Sequence, residues 1–489
     1  MNTKLFNEYS TWTTAGVVLV LTVLSSLILR NGSRKNDKVR DLGGFSVMTA
    51  WSFFTKRYDF VRNHFKSTSG GPFKFNVLHH RVFAVAGEKA REAFLNHRHI
   101  DMSEGYRILL GGIPDLEDIN IERETDQTTQ FIKRLLLLLR RDRISDTLPL
   151  LFDDVHRRMS DWGTQGTINP FREVYDLVFQ MTVRMATCRE LAEDKEAIST
   201  IAQSYWDIEK SATPAAILLP WLPIADRKKN EKATMALYTG IGKYVKMRRE
   251  AATPSTDPID ILIANGDSDD KIIGVIISIV FAGVINTGIN SCWNLLYLGA
   301  HPEWKKRVTD EYKTLLNNYA PTATGEPLHK RLATIPMSAW EDELPSMDLV
   351  IRETLRMIMS SSLIRRNIQE DIEFDGIKVK KGDFLLYSTA DAHMDEKIYT
   401  NPEEYDPGRY LPGREEDKKE AFAFVGWGAG RHPCAGMKVA KLEIKLVMAI
   451  ILLGYEYELV DGTGKYPKKL PVPDRNVSKW AAASHGRRK

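Results

Sequence analysis

The chain has 489 residues, of which 43% are hydrophobic and 27% charged, with a formal net charge of +4. That is ample for a large buried core, and so small a charge gives no case for nucleic-acid binding, which asks for a strongly basic face. Three cysteines, Cys188, Cys292 and Cys434, are too few and too far apart for a disulfide scaffold or a zinc cluster, and they fit a reducing compartment.

The first element in the chain is an apolar run. No charge occurs between Glu8 and Arg30, and the centre over 15–29, with Tyr9 and Trp12 ahead of it, can cross a thin bilayer as a helix. Arg30, Arg34, Lys35, Lys38 and Arg40 follow, so the positive-inside rule puts the N-terminus in the lumen and the body in the cytosol. A cleaved signal peptide would carry its charge on the other side. Residues 1–40 read as a single-pass membrane anchor with a basic flank, and 41–489 as one large domain.

Within that domain the patterns predict a helix over 45–66, a strand hairpin over 73–78 and 82–86, and a helix over 88–96 started by Gly87. Residues 101–120, with Gly105, Gly111, Gly112 and Pro114, predict an irregular loop, and so long a loop is often functional. Residues 122–264 are mostly helical, interrupted at 163–166, 214–223 and 253–258. A run over 271–299 predicts a helix of ~45 Å at about 1.5 Å per residue. Asn286, Asn290 and Asn294 interrupt it, so it reads as a buried helix rather than a membrane span. Short strands are expected within 372–379 and over 384–387, and a last helix over 438–453. The fold class is mainly α with small β-sheets.

The most informative segment is Phe424-Val425-Gly426-Trp427-Gly428-Ala429-Gly430-Arg431-His432-Pro433-Cys434-Ala435-Gly436. Its glycines permit a tight turn with positive φ. Cys434 comes just ahead of the last helix, where unpaired N–H groups and the positive dipole end favour a thiolate over a thiol. The loop resembles the haem-binding loop of the cytochromes P450, and the order of Gly428, Gly430, His432, Cys434 and Gly436 is similar to that of the sterol 14α-demethylases. The resemblance implies a P450 fold with an N-terminal transmembrane helix, haem b as cofactor and Cys434 as axial ligand to the iron. Gly428, Gly430 and Gly436 would shape the loop around the cofactor. A thiolate ligand favours O–O cleavage. Trp427 stands where most members carry Phe, and Pro433 is unusual before the cysteine; neither removes the ligand.

Glu353 and Arg356, three apart, share a helix face. On their own they read as a solvated ion pair. The family resemblance makes them the ExxR motif, which with a third arginine braces the haem loop. Residues 402–410 resemble the PxxFxPxRF segment and supply Arg409 as that partner. Buried, such a network costs desolvation unless fully paired, so its role is specificity rather than net stability.

The long helix carries Ala282-Gly283-Val284-Ile285-Asn286-Thr287, which resembles the oxygen-binding helix of the family. Gly283 would let dioxygen and haem approach the backbone. Ile285 and Asn286 replace the acid and alcohol that steer water and protons in most monooxygenases. The relay must therefore differ: Asn286 holds a water, or Thr287 or a substrate hydroxyl donates. On the residues alone Asn286 reads equally as the cap of a helix kink. This stretch is similar to prostacyclin synthase and cholesterol 7α-hydroxylase, and the run Ser360-Ser361-Ser362 to the latter. For the haem propionates the resemblance points to His432, to Arg366 with Arg365 as fallback, and to Arg134, where Lys133 competes and a solvated surface charge is the plain alternative. Met102, Ile113, Trp221, Ile285 and Leu363 would line the pocket.

The resemblance implies a haem-thiolate monooxygenase on the endoplasmic reticulum membrane, facing the cytosol. It would insert one oxygen atom from O2 into a lipophilic substrate, terpenoid or sterol-like. Electrons would come from NADPH–cytochrome P450 reductase, docked through Lys438, Lys441 or Lys445. Two other readings stay open: an isomerase or dehydratase acting on a peroxide without O2 or reductase, which Asn286 favours, and a haem protein that binds a lipid without turnover.

Overall fold

The structure, a computed structural model, describes residues 38–109, 127–219, 222–321 and 325–476. The expected anchor helix, Ile113 and Trp221 lie outside the described residues. The chain divides into two units, one of Met1–Gly105 with Ser362–Ser388, the other of Tyr106–Ser361 with Thr389–Lys489.

The first unit is built on a six-stranded sheet. Its strands are β1 (Arg40–Asp41), β2 (Phe73–Val77), β3 (His80–Val85), β4 (Ile100–Asp101), β5 (Ser362–Asn367) and β8 (Phe384–Ser388), in the order β1-β2-β3-β8-β5-β4. β6 (Ile372–Phe374) and β7 (Ile377–Val379) form a separate hairpin. The β2–β3 hairpin begins its return strand two residues before the expected 82, because His80 and Arg81 pair with Val77 and Asn76 around a turn at Leu78, φ +54°. Alternation buries Phe73, Phe75 and Val77, and Phe75 meets a tilted Phe53 and an edge-on Phe60 with ring centroids 5.2 and 5.1 Å away.

Those two phenylalanines belong to α1 (Ser46–Thr55) and α2 (Arg57–Ser67), so the helix expected over 45–66 is broken at Lys56, φ −138°. α3 (Glu88–Asn96) lies where the sequence puts it. The loop expected over 101–120 is corrected at its start, where α4 (Met102–Leu109) is helical. Asp101 accepts a 2.7 Å hydrogen bond from the Glu104 N–H, an N-terminal cap. A Cβ at Gly105 would sit 2.0 Å from the Ile364 carbonyl oxygen, so this glycine serves close packing on β5 rather than flexibility.

The second unit is helical: α5 (Arg141–Met159), α6 (Pro170–Ala186), α7 (Lys195–Ser211), α8 (Ala225–Arg249), α9 (Asp269–Ala300), α10 (Pro302–Tyr319), α11 (Pro345–Ile358) and α12 (Met437–Gly454), with shorter helices between. Asn169 and Asp194 cap α6 and α7 by accepting from Phe171 and Ala197 N–H. Pro214 and Pro258, read as interruptions, each open a short helix instead, Pro214–Leu218 and Pro258–Ala264, since proline suits the first helical turn.

The 32 residues of α9 span ~48 Å. Among the described residues it is the one helix long and apolar enough to cross a membrane, and 72% of its most apolar window is buried inside the protein. It is a core helix, packed along α6, α8, α11 and α12. Gly288 lets the Tyr175 ring of α6 approach so closely that a Cβ would meet it at 2.9 Å.

Candidate active site

The cysteine loop folds on its glycines. Gly428 and Gly430 have φ of +69° and +62°, and a Cβ at Gly428 would lie 2.4 Å from the His432 carbonyl oxygen. That close approach pairs β9 (Gly428–Ala429) antiparallel with β10 (His432–Pro433), and the Cys434 N–H donates to Trp427 O at 2.7 Å to close the turn. Gly436 is the N-cap of α12, so Cys434 lies two residues ahead of the cap. It is the exposed member of the three cysteines. Cys188 is buried, which pushes its thiol up to about 12, and the Cys292 thiol donates to Pro170 O. A lone exposed thiol on a rigid glycine cradle at a helix N-terminus is a donor set that fits a thiolate-ligated haem.

Behind the loop, Glu353, Arg356 and Arg409 are fully buried. Arg356 clasps Glu353 through two hydrogen bonds of 2.8 and 2.9 Å, and Arg409 Nε donates to the same carboxylate at 3.0 Å. Tyr410 Oη and the Asp406 N–H complete the shell of Glu353. The remaining guanidinium N–H groups reach backbone oxygens of His393, Pro402, Glu404 and Thr400, and the Glu416 carboxylate. Burial would lower the Arg356 pKa, but hydrogen bonding and charge from Glu353 more than offset it, and the net shift is upward.

His393 ties this network to the loop. Its Nε2 accepts from the Val425 N–H at 3.1 Å, so its Nδ1 carries the proton and donates to Met359 O, just past α11, at 3.2 Å. Sequence reasoning missed His393, and no local pattern marks it.

On α9 the exposed residues around the expected oxygen-binding stretch are Ala282 and Asn286, with Gly283 half-buried. The Asn286 side chain donates back to Ala282 O at 2.8 Å. The missing Cβ of Gly283 points at Thr182 of α6, 3.1 Å away, so its small size lets these two helices pack. Thr287 is buried and hydrogen-bonds Glu443 of α12, which also accepts from Thr182 at 3.2 Å. Burial pushes the Glu443 carboxyl up to about 8, against the opposing pull of these two hydroxyls. Glu443 was also missed. Its signal was a lone acid inside the apolar run of the last helix.

The other expected residues fall in different settings. His432 is half-buried on β10. Arg134 is largely buried and paired with Asp267 at 2.7 Å, not a solvated charge. In the first unit Arg366 pairs with Glu104 at 2.8 Å, while Arg365 is buried and donates to Phe94 O and Leu95 O at the C-terminal end of α3. Met102 and Leu363 are half-buried and Ile285 is buried in the core. Lys445 is corrected as a docking residue: it is buried, and its ammonium bonds Trp340 O, Glu341 O and Asp348. Lys441 is paired with Asp348, and Lys438 is exposed.

Comparison with known proteins agrees with this geometry. The cytochrome P450 family pattern matches residues 49–473. The chain is 30% identical to cytochrome P450 monooxygenase AacuE of Aspergillus aculeatus over 86% of each chain, and 30% identical to cytochrome P450 monooxygenase nsrP of Aspergillus novofumigatus over 96% of this chain and 94% of that one. Obtusifoliol 14-alpha demethylase of Sorghum bicolor is 25% identical over 91% of both. The fold matches that of retinoic acid-bound cyanobacterial CYP120A1 with a TM-score of 0.71 at 21% identity, covering 90% of this chain and 98% of that one. The chain belongs to the cytochrome P450 family, among its monooxygenases.

Proposed function

We propose that the chain is a membrane-bound haem-thiolate monooxygenase that inserts one oxygen atom from O2 into a lipophilic substrate, terpenoid or sterol-like. The observation that carries the proposal is Cys434, an exposed thiol on a tight glycine turn just ahead of α12. Haem, when bound there, supplies the activation of oxygen. Cys434 Sγ would hold the iron as thiolate, and Gly428, Gly430 and Gly436 would keep the loop close to the ring. His432, Arg366 and Arg134 would take the propionates, for which the two arginines would share or give up their present partners, Glu104 and Asp267.

Near neutral pH burial keeps the Glu443 carboxyl largely protonated, in hydrogen-bonding contact with Thr287, next to Asn286. Asn286 and Gly283 would line the reaction face. An apolar substrate is supported by the sterol demethylase relatives. Lys438 offers the exposed charge for a reductase. The basic flank after the apolar N-terminal run supports a single-pass anchor in the endoplasmic reticulum membrane, with the body in the cytosol.

The test is turnover of a terpenoid and sterol panel by haem-loaded protein with NADPH, reductase and ¹⁸O2. The expected product gains one ¹⁸O atom and needs all three. Conversion of a peroxide without NADPH or O2 would establish the isomerase or dehydratase reading instead, and a spectral shift without product would mark a binding protein.

A further inference from the structure

Asn286, Asn290, Asn294, Tyr297 and His301 follow one another at spacings of four, four, three and four residues, so they lie on one face of α9 and its C-cap. The stripe is ~22 Å long at about 1.5 Å per residue. Its two ends are open: Asn286 is exposed, and His301 keeps 26% of its side-chain surface. Its middle is closed, with Asn290 1%, Asn294 0% and Tyr297 7% exposed.

In that middle the Asn294 amide donates to Asn290 Oδ1 at 2.7 Å. The other half of each amide is left over. Asn290 Nδ2, Asn294 Oδ1 and Tyr297 Oη are buried without a hydrogen-bond partner among the described residues, and so is Ser291 Oγ beside them. Turning one amide over sets like against like, and turning both only exchanges which atoms are orphaned. Native interiors leave few such atoms, and where a run of them occurs an ordered water with about three hydrogen bonds is the usual partner. Tyr297 also stacks on Tyr405, centroids 4.2 Å apart, which holds the stripe in register against α11 through the contact of Tyr405 Oη with Thr354.

We propose that this seam is a built water site: ordered waters bound to Asn290 Nδ2, Asn294 Oδ1 and Tyr297 Oη connect solvent at His301 with the reaction face at Asn286. The chain of waters passes protons along the helix. It serves in place of the acid–alcohol pair that Ile285 and Asn286 do not supply. A proton taken from solvent at one end releases one at the other, so no side chain is consumed. The inference rests on the monooxygenase reading of the site.

The test compares haem-loaded wild type with Asn290→Leu/Asn294→Leu, using the panel compound that turns over. In a high-resolution crystal structure of the wild type, water density is expected within hydrogen-bonding distance of both amides. In the double variant the carbon monoxide spectrum and the first reduction by NADPH and reductase are expected to stay as in wild type. Product per NADPH is expected to fall about 100-fold, the low end of the range for a lost proton-transfer group, with hydrogen peroxide making up the difference. The solvent deuterium effect on product formation should rise. If the seam is dry, replacing two orphaned amides by leucine raises the melting temperature instead. Empty density at the amides, a higher melting temperature, or unchanged coupling overturns the proposal. Should the double variant not load haem, Asn294→Ser, which keeps a hydrogen-bonding group, is expected to retain wild-type coupling, and the wild-type density then decides. A wild type that never consumes O2 with NADPH would sink the monooxygenase reading while leaving the crystallographic result to judge the water site.

Discussion

Glu353 with its two arginines and the asparagine stripe of α9 are both deep in the second unit, yet they are satisfied in opposite ways. The carboxylate of Glu353 receives five hydrogen bonds, and the guanidinium groups around it end on backbone oxygens and Glu416. In the stripe, Asn290 and Asn294 share one bond and leave a donor and an acceptor over. A buried charge with every partner in place is a brace: it fixes one arrangement of α11, residues 402–410 and, through His393, the cysteine loop. Buried polar atoms that the protein itself does not satisfy are a place for something mobile.

The largest effect should come from breaking the brace. Arg356→Leu leaves Glu353 short of two charge-assisted bonds in a dry site, a loss of about 3–5 kcal/mol. The expected outcome is protein that neither loads haem nor melts cooperatively, measured by absorbance and calorimetry. A folded, haem-loaded variant would show that the network is dispensable and the contrast with the stripe empty.

Next comes the loop that the brace supports. Gly428→Ala forces a Cβ at φ +69° against the His432 carbonyl, a strain of about 1–3 kcal/mol. Gly462→Ala, in an exposed turn with nothing within 4 Å of the new Cβ, should be tolerated. Haem content of the two variants reads the difference, and equal retention would contradict the cradle geometry.

Glu443 sharpens the comparison from the other side, as a buried acid held by two hydroxyls alone. Its pKa is about 8 in the folded protein against an ordinary 4.5, so the folded state keeps a proton that the unfolded chain loses. This group's contribution to stability is therefore whole below pH 4.5 and is lost as pH rises to about 8. Glu443→Gln should match wild type near pH 4.5 and exceed it above pH 8, by an amount on the order of a few kcal/mol at most. Urea midpoints at the two pH values check the sign, and parallel curves would contradict it.

The smallest effect concerns the surface. Lys438→Glu should slow reduction by the reductase at low salt and little at high salt, while Lys445→Ala should lower the melting temperature and leave the salt dependence alone. Stopped-flow reduction across ionic strengths separates them.

The site was legible where chemistry leaves a local mark. The glycine spacing around Cys434 marked the loop, and the resemblance to the family's ExxR and PxxFxPxRF segments marked Glu353, Arg356 and Arg409 as its brace. What stayed hidden depends on distant contacts. His393 joins Met359 to Val425 across the chain, and Glu443 meets Thr182 and Thr287 from other helices. Lys445 looked like a surface lysine because its partners, Trp340, Glu341 and Asp348, lie far away in sequence. Of the fold, α3 was readable from its amphipathic pattern and α9 from its long apolar run. Gly105 misled because a glycine that admits a close neighbour looks the same in sequence as one that frees a loop.

The bond from Cys434 sulfur to a haem iron is most directly tested by the difference spectrum of the reduced protein with carbon monoxide, recorded for wild type and Cys434→Ser at matched haem content. The account predicts the long-wavelength Soret band of thiolate ligation in wild type and its absence in the variant. The same band in both proteins, or its absence from folded, haem-loaded wild type, would contradict it.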